Sequence, residues 1–219
     1  MLARDPIKFP DKKAHFLLSG IAGDIEVATT TAQAAGLNKA IVICHPHPLH
    51  GGTMQNKVVT TLVRVFADLG FNMVRFNFRG VGASTGEHAS GIGEAEDLLT
   101  VLDWLGKTLP TAQRYLAGFS FGAYVAYSVA TTSHYQDKLQ HLLLVAPPVQ
   151  YPAFQGLPDI TIPWTVVQGE MDEVVEPQSV FDWLNERQHP AELICLPTSG
   201  HFFHGKLIEL KTKLITAFQ

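Results

Sequence analysis

Cysteine is nearly missing from this chain, with two in 219 residues, Cys44 and Cys195. They lie far apart and each closes a strand-like run, so reduced core thiols are expected in place of a disulfide framework. Charge is sparse too, at 16% of residues, with 16 basic and 20 acidic side chains and a net charge of -4. Apart from Lys12 and Lys13 the cations are scattered, so no nucleic-acid partner is expected. No apolar run approaches the ~20 residues a membrane helix needs, and residues 1–15 hold no apolar stretch of signal-peptide length. A soluble, cytoplasmic protein with no membrane partner is therefore expected. Repeats and low-complexity segments are absent. What is plentiful is apolar residues, 46% of the chain, which suits a buried parallel sheet covered by helices. The length predicts a single domain spanning 1–219.

In chain order, short apolar or alternating runs at 15–19 and 24–31, separated by Gly20 to Gly23, predict an antiparallel hairpin. Residues 40–44 (Ala-Ile-Val-Ile-Cys) form a continuous apolar strand, and 56–69 carries apolar residues at helical spacing before Gly70. The alternation continues with strand 72–78, helix 92–105, strand 114–118, an almost wholly apolar helix from 121, and strands 141–146 and 164–169. Helix 177–187 begins at a proline, strand 192–196 follows, and helix 206–218 ends the chain. Strands alternating with helices predict an α/β fold with a doubly wound, mostly parallel sheet of about eight strands. The irregular connection 149–163 is too short for a lid domain.

The centre of this pattern is Gly118-Phe-Ser120-Phe-Gly122, between a predicted strand and a predicted helix. A turn this sharp brings the flanking glycines close together and lifts the serine hydroxyl above the carboxyl end of the sheet. A serine needs a histidine to take its proton and a carboxylate to fix that histidine, both on loops at the same sheet edge. Strand 164–169 runs into Gly-Glu-Met-Asp-Glu-Val-Val, which makes Asp172 the candidate acid and leaves Glu170 and Glu173 as solvated loop charges. Strand 192–196 runs into Ser-Gly-His, which makes His201 the candidate base. His204, at the start of the last helical pattern, is expected to serve as a cap or surface residue.

Two other chemistries compete. His45-Pro-His47-Pro-Leu-His50 has a spacing used by metal-dependent hydrolases, but Leu49 stands where an acidic residue is required and the prolines stiffen the loop. Gly80-x-Gly82 with Gly86 lacks the spacing of a dinucleotide loop and reads as a tight turn anchored by Arg79. A binding module without catalysis is the third alternative.

The elbow, Gly-Glu-Met-Asp-Glu-Val-Val and Ser-Gly-His together resemble the α/β-hydrolase superfamily. The stretch from His45 to Val59 and the stretch Phe-Asn-Phe-Arg-Gly-Val-Gly-Ala-Ser-Thr-Gly at 76–86 are similar to its small lidless bacterial members, near the dienelactone-hydrolase-like group. That resemblance, over 15–218, implies serine hydrolase chemistry on small esters or thioesters without a cofactor, carried by Ser120, Asp172 and His201. Dienelactone hydrolases proper use cysteine as nucleophile, so their substrate is not implied. The resemblance also implies an oxyanion hole of two backbone N–H groups. One is that of Phe121. The other lies in the loop after strand 40–44, where Pro46 and Pro48 have no N–H, leaving His47 first and Leu49 as the fallback. Natural substrate and oligomeric state are left open.

Overall fold

The strands at the centre of the molecule form where β-branched and long aliphatic residues run uninterrupted, because such runs bury both faces of a parallel sheet. A computed structural model describes residues 2–32 and 38–219; of the expected 1–219 domain, residue 1 and residues 33–37 lie outside the described residues. Nine strands form one sheet: β1 (Ala3–Arg4), β2 (Ala14–Gly20), β3 (Gly23–Thr30), β4 (Lys39–Cys44), β5 (Asn72–Phe76), β6 (Gln113–Phe119), β7 (Leu139–Val145), β8 (Trp164–Gly169) and β9 (Glu192–Leu196). Their order is β1-β2-β3-β5-β4-β6-β7-β8-β9. From β5 to β9 all neighbours are parallel, while β3 is antiparallel to both β2 and β5. The strand beyond the expected eight is β1, two residues pairing with the outer edge of β2, too short to carry a periodic signal.

Alternation along the strands sorts the core into two layers. Ala40, Val42 and Cys44 of β4, Leu116 of β6 and Val166 of β8 face one side; Ile41, Ile43, Ala117 and Val167 face the other. The first side is covered by α2 (Ile92–Thr108), α3 (Phe121–Ala130) and α6 (Pro177–Asn185), the second by α1 (Lys57–Asp68) and α7 (Leu207–Phe218). In α3 every residue but Ser128 is buried, as its apolar circumference requires. Asn56 caps α1 by accepting the Val58 N–H at 2.8 Å, which is why the helix begins one residue later than the expected 56.

Strand β5 stops two residues short of the expected 78. Asn77 turns its N–H to the Glu26 carbonyl and Phe78 donates its own to the imidazole of His45, so both leave the ladder. Gly80, Gly82 and Gly86 then adopt positive φ (76°, 59° and 86°) in a turn that Arg79 anchors through Asp97 and Glu96. Two short helices escaped the periodicity, α4 (Ser133–Gln136) and α5 (Pro152–Gln155). The second shows why 149–163 is no lid. Phe154, Ile160 and Ile162 are buried, and Phe154 packs on Tyr127 and Trp183 at 5.2 and 5.1 Å between ring centroids. The Tyr127 hydroxyl also donates to the Pro158 carbonyl.

Candidate active site

Ser120 sits between β6 and α3 with φ 54° and ψ -121°, outside the regions an L-residue prefers. The surrounding structure enforces this strain. The Ser120 N–H donates to the Val145 carbonyl at 2.9 Å, and α3 starts at once. A Cβ at Gly122 would lie 2.5 Å from the His45 carbonyl oxygen, and one at Gly118 would lie 2.6 Å from the Ala123 nitrogen. Both distances are shorter than real carbon contacts, so glycine is required on each side. The hydroxyl that results is only half-buried and faces the loops beyond β4, β8 and β9.

The three residues expected at this edge are brought together. His201 Nε2 lies 2.9 Å from Ser120 Oγ, and its Nδ1 lies 2.9 Å from Asp172 Oδ2 and 3.1 Å from Oδ1. Asp172 and His201 are both buried. Burial raises the Asp172 carboxyl, but hydrogen bonds from His201 and the Val175 and Val174 N–H groups outweigh it and hold the group below its ordinary range. Those two amides reach Oδ1 at 2.8 and 2.9 Å, and Gln168 Nε2 reaches Oδ2 at 3.0 Å. An ionised carboxylate on Nδ1 sets the tautomer that leaves Nε2 free to accept the serine proton.

The loops that carry Asp172 and His201 are laced to each other. Glu170 and Met171 donate their N–H groups to the carbonyls of Leu196 and Ser199. Glu173 corrects its reading as a purely solvated charge: its carboxylate accepts the His201 N–H at 3.1 Å, although the side chain remains exposed. Glu170 is exposed. His204 is exposed too, with Phe202 nearby; it lies in a turn before α7, whose N-cap is Lys206.

On the opposite flank the loop after β4 carries the three clustered histidines. His45 is fully buried; its Nδ1 donates to the Pro46 carbonyl at 2.6 Å and its Nε2 accepts the Phe78 N–H at 3.0 Å. Both nitrogens are thus engaged with backbone, and the ring is a structural strut in place of a metal ligand. No trio of His, Cys, Asp or Glu among the described residues is arranged to hold a metal ion. The His47 ring stacks on His50 at 4.5 Å and packs on Phe121 at 4.8 Å and His88 at 4.9 Å. Burial lowers its pKa, helped by the neighbouring imidazoles. The fallback Leu49 N–H is already taken by His47 Nδ1 at 3.2 Å. By contrast, the N–H groups of His47 and Phe121 donate to no acceptor among the described residues. Leu49, Met171, Val174 and Phe202, all exposed, stand on the loops that bear these groups.

Sequence reasoning missed Gln168, the bond from the His201 N–H to Glu173, and the approach of His88 to the buried Glu94, whose Nδ1 and Oε1 lie 2.7 Å apart. Gln168 left one signal, a lone amide directly after the apolar pair Val166-Val167 in a buried strand.

A parallel sheet with a strained serine between strand and helix, and with a histidine and an aspartate delivered by later strands, is the architecture of an α/β hydrolase. Residues 38–156 match the family model described as serine aminopeptidase S33. The chain is similar to an α/β serine hydrolase homologue from Coxiella burnetii, 44% identical, with a TM-score of 0.91 over 97% of this chain and 100% of that one. It is similar as well to a serine hydrolase without lid from Xanthomonas campestris, 39% identical, with a TM-score of 0.87 over 94% of each chain. An uncharacterized protein of Rickettsia prowazekii is 35% identical over 201 residues, 87% of this chain and 82% of that one. The chain belongs to the α/β serine hydrolase family, and its fold is the α/β-hydrolase fold without a lid domain. No helix of the described residues is long and apolar enough to cross a membrane.

Proposed function

We propose that this hydrolase cleaves a small carboxylic ester or thioester through an acyl-enzyme on Ser120. The observation that carries the reading is the single imidazole of His201 lying 2.9 Å from Ser120 Oγ and 2.9 Å from Asp172 Oδ2. In the proposed cycle His201 takes the Ser120 proton as the hydroxyl attacks the carbonyl carbon. Asp172 stays ionised and stabilises the imidazolium. The oxyanion is held by the N–H groups of Phe121 and His47, which have no other acceptor among the described residues. His201 then gives its proton to the departing alcohol or thiol, and activates the water that releases the acid. No step needs a cofactor.

The whole chain is proposed to act as one catalytic domain, and the free thiols of Cys44 and Cys195 support a cytoplasmic setting. The test is covalent. A fluorophosphonate should label the wild-type protein at Ser120, and Ser120→Ala should lose both label and ester turnover, the latter on the order of a million-fold. Retention of more than about a hundredth of the activity in Ser120→Ala would remove the serine from the reaction. An unlabelled wild-type protein that binds but does not turn over esters would support the non-catalytic alternative.

A further inference from the structure

Gln168 is a polar side chain near the carboxyl end of β8, the strand next to the β9 edge, and is fully buried. Its Nε2 faces two acceptors, the Gly169 carbonyl at 3.1 Å and Asp172 Oδ2 at 3.0 Å. The opposite amide orientation would turn an oxygen toward both, so the hydrogen-bond pattern fixes which end points where. Fixing it has a cost, because Oε1 is buried with no hydrogen-bond partner among the described residues. An aliphatic residue, like Val166 and Val167 before it, would fill this place in the core without stranding a polar atom. The return on the amide is the bond to its neighbour's carbonyl and, beyond the strand, the bond to Asp172.

The carboxylate of Asp172 is shared between donors on both oxygens. Val174 and Val175 hold Oδ1, and His201 Nδ1 approaches both oxygens, nearer to Oδ2. Gln168 is the remaining donor to Oδ2. Without it Oδ2 is held by the mobile partner His201 alone, and the carboxylate can swing out of its fixed line with the imidazole. Its charge is also less dispersed, so it holds a protonated His201 more firmly. Resting on the proposed roles of Asp172 and His201, we infer that Gln168 is a positioning residue: it orients the Asp172 carboxylate and moderates its pull on the imidazolium.

Gln168→Leu removes the donor together with the stranded oxygen, and Gln168→Met does so with an unbranched chain closer in shape. In both, kcat on p-nitrophenyl butyrate should fall about tenfold while KM stays within about twofold. The acidic limb of the kcat/KM profile should move to higher pH, because a less solvated carboxylate stabilises the imidazolium. The urea midpoint should not fall. An NMR titration of the His201 ring, read on the same proteins without substrate, should move in the same direction as the acidic limb. Unchanged kcat with an unmoved His201 titration would overturn the inference. So would a drop in kcat accompanied by lost stability and an unmoved titration, the mark of a merely structural role. Failure of the wild-type protein to react with fluorophosphonate would instead count against the hydrolytic reading, and the NMR arm would still decide the part played by Gln168.

Discussion

Acidification from pH 7 to pH 5 should weaken this fold through one imidazole that takes no part in the proposed proton transfers. His45 is completely buried at the end of β4, donating to the Pro46 carbonyl and accepting the Phe78 N–H. A proton can be added only at Nε2, at the expense of the bond to Phe78. Burial accordingly lowers its pKa from 6.5 to about 4, with the Pro46 bond and the charge of Glu94 acting weakly in the opposite sense. The unfolded chain takes up this proton near pH 6.5 while the folded one resists, so the stability it contributes is complete above pH 6.5 and is lost as pH falls toward 4. Between pH 7 and pH 5 the linkage relation gives a loss of about 2 kcal/mol from this group alone. The assay is urea unfolding of the wild type and His45→Gln at both pH values. Glutamine can still accept from Phe78 but has no proton to gain. The half-buried His141, whose pKa is also lowered to about 4 by desolvation, is common to both proteins and cancels in the comparison. The wild type should lose about 2 kcal/mol more than the variant. Equal losses would refute the reasoning.

Three further outcomes are expected. His201→Ala should abolish ester turnover as Ser120→Ala does, whereas His204→Ala, altering an exposed turn residue, should stay active; the opposite pattern in steady-state kinetics would reassign the base. His47→Ala keeps the backbone N–H and should change turnover by less than about tenfold, while His47→Pro deletes it and should cost on the order of a hundred-fold to a thousand-fold, with circular dichroism confirming that the loop change leaves the fold intact. Acetyl and butyryl esters should be cleaved more efficiently than long-chain ones, since the 149–163 segment is pinned to the core and offers no cover for a long chain; a higher kcat/KM on long-chain substrates would refute this.

The elements most legible from the residues were those whose signal is local. The apolar runs at 40–44 and 164–169 became β4 and β8 without a shift at the carboxyl end, because burial on both faces leaves no room for alternatives. The elbow was legible for the same reason, since its glycines answer to the immediate backbone. What depended on distant partners was hidden. The two residues of β1 exist only because β2 has a free edge, and α5 forms where Phe154 reaches an aromatic cluster built from Tyr127, Trp164 and Trp183. Strand 72–78 was overrun because Phe76, Asn77 and Phe78 continue an alternating pattern, while the N–H groups of Asn77 and Phe78 bind Glu26 and His45, 51 and 33 residues away in sequence. The candidate acid and base could be named from their position after strands. Their supports could not: Glu173 serves a backbone N–H of His201, and Gln168 reaches four residues along to Asp172, contacts that no spacing rule encodes.

The lacing between the loops after β8 and β9 divides the site into two bodies. Asp172 and His201 travel on one, joined by the bonds from Glu170, Met171 and His201 across the loops, at the edge of the sheet where, among the described residues, β9 has a neighbour only in β8. Ser120 belongs to the other, clamped between β4 and β7 by its own strand and helix. A tilt of the edge body therefore carries the proposed acid and base together and, of the two contacts that join the three residues, stretches only that between His201 Nε2 and Ser120 Oγ. Misalignment is channelled into a single coordinate, so substitutions along β9 should tune the speed of serine attack while leaving the partnership of imidazole and carboxylate intact.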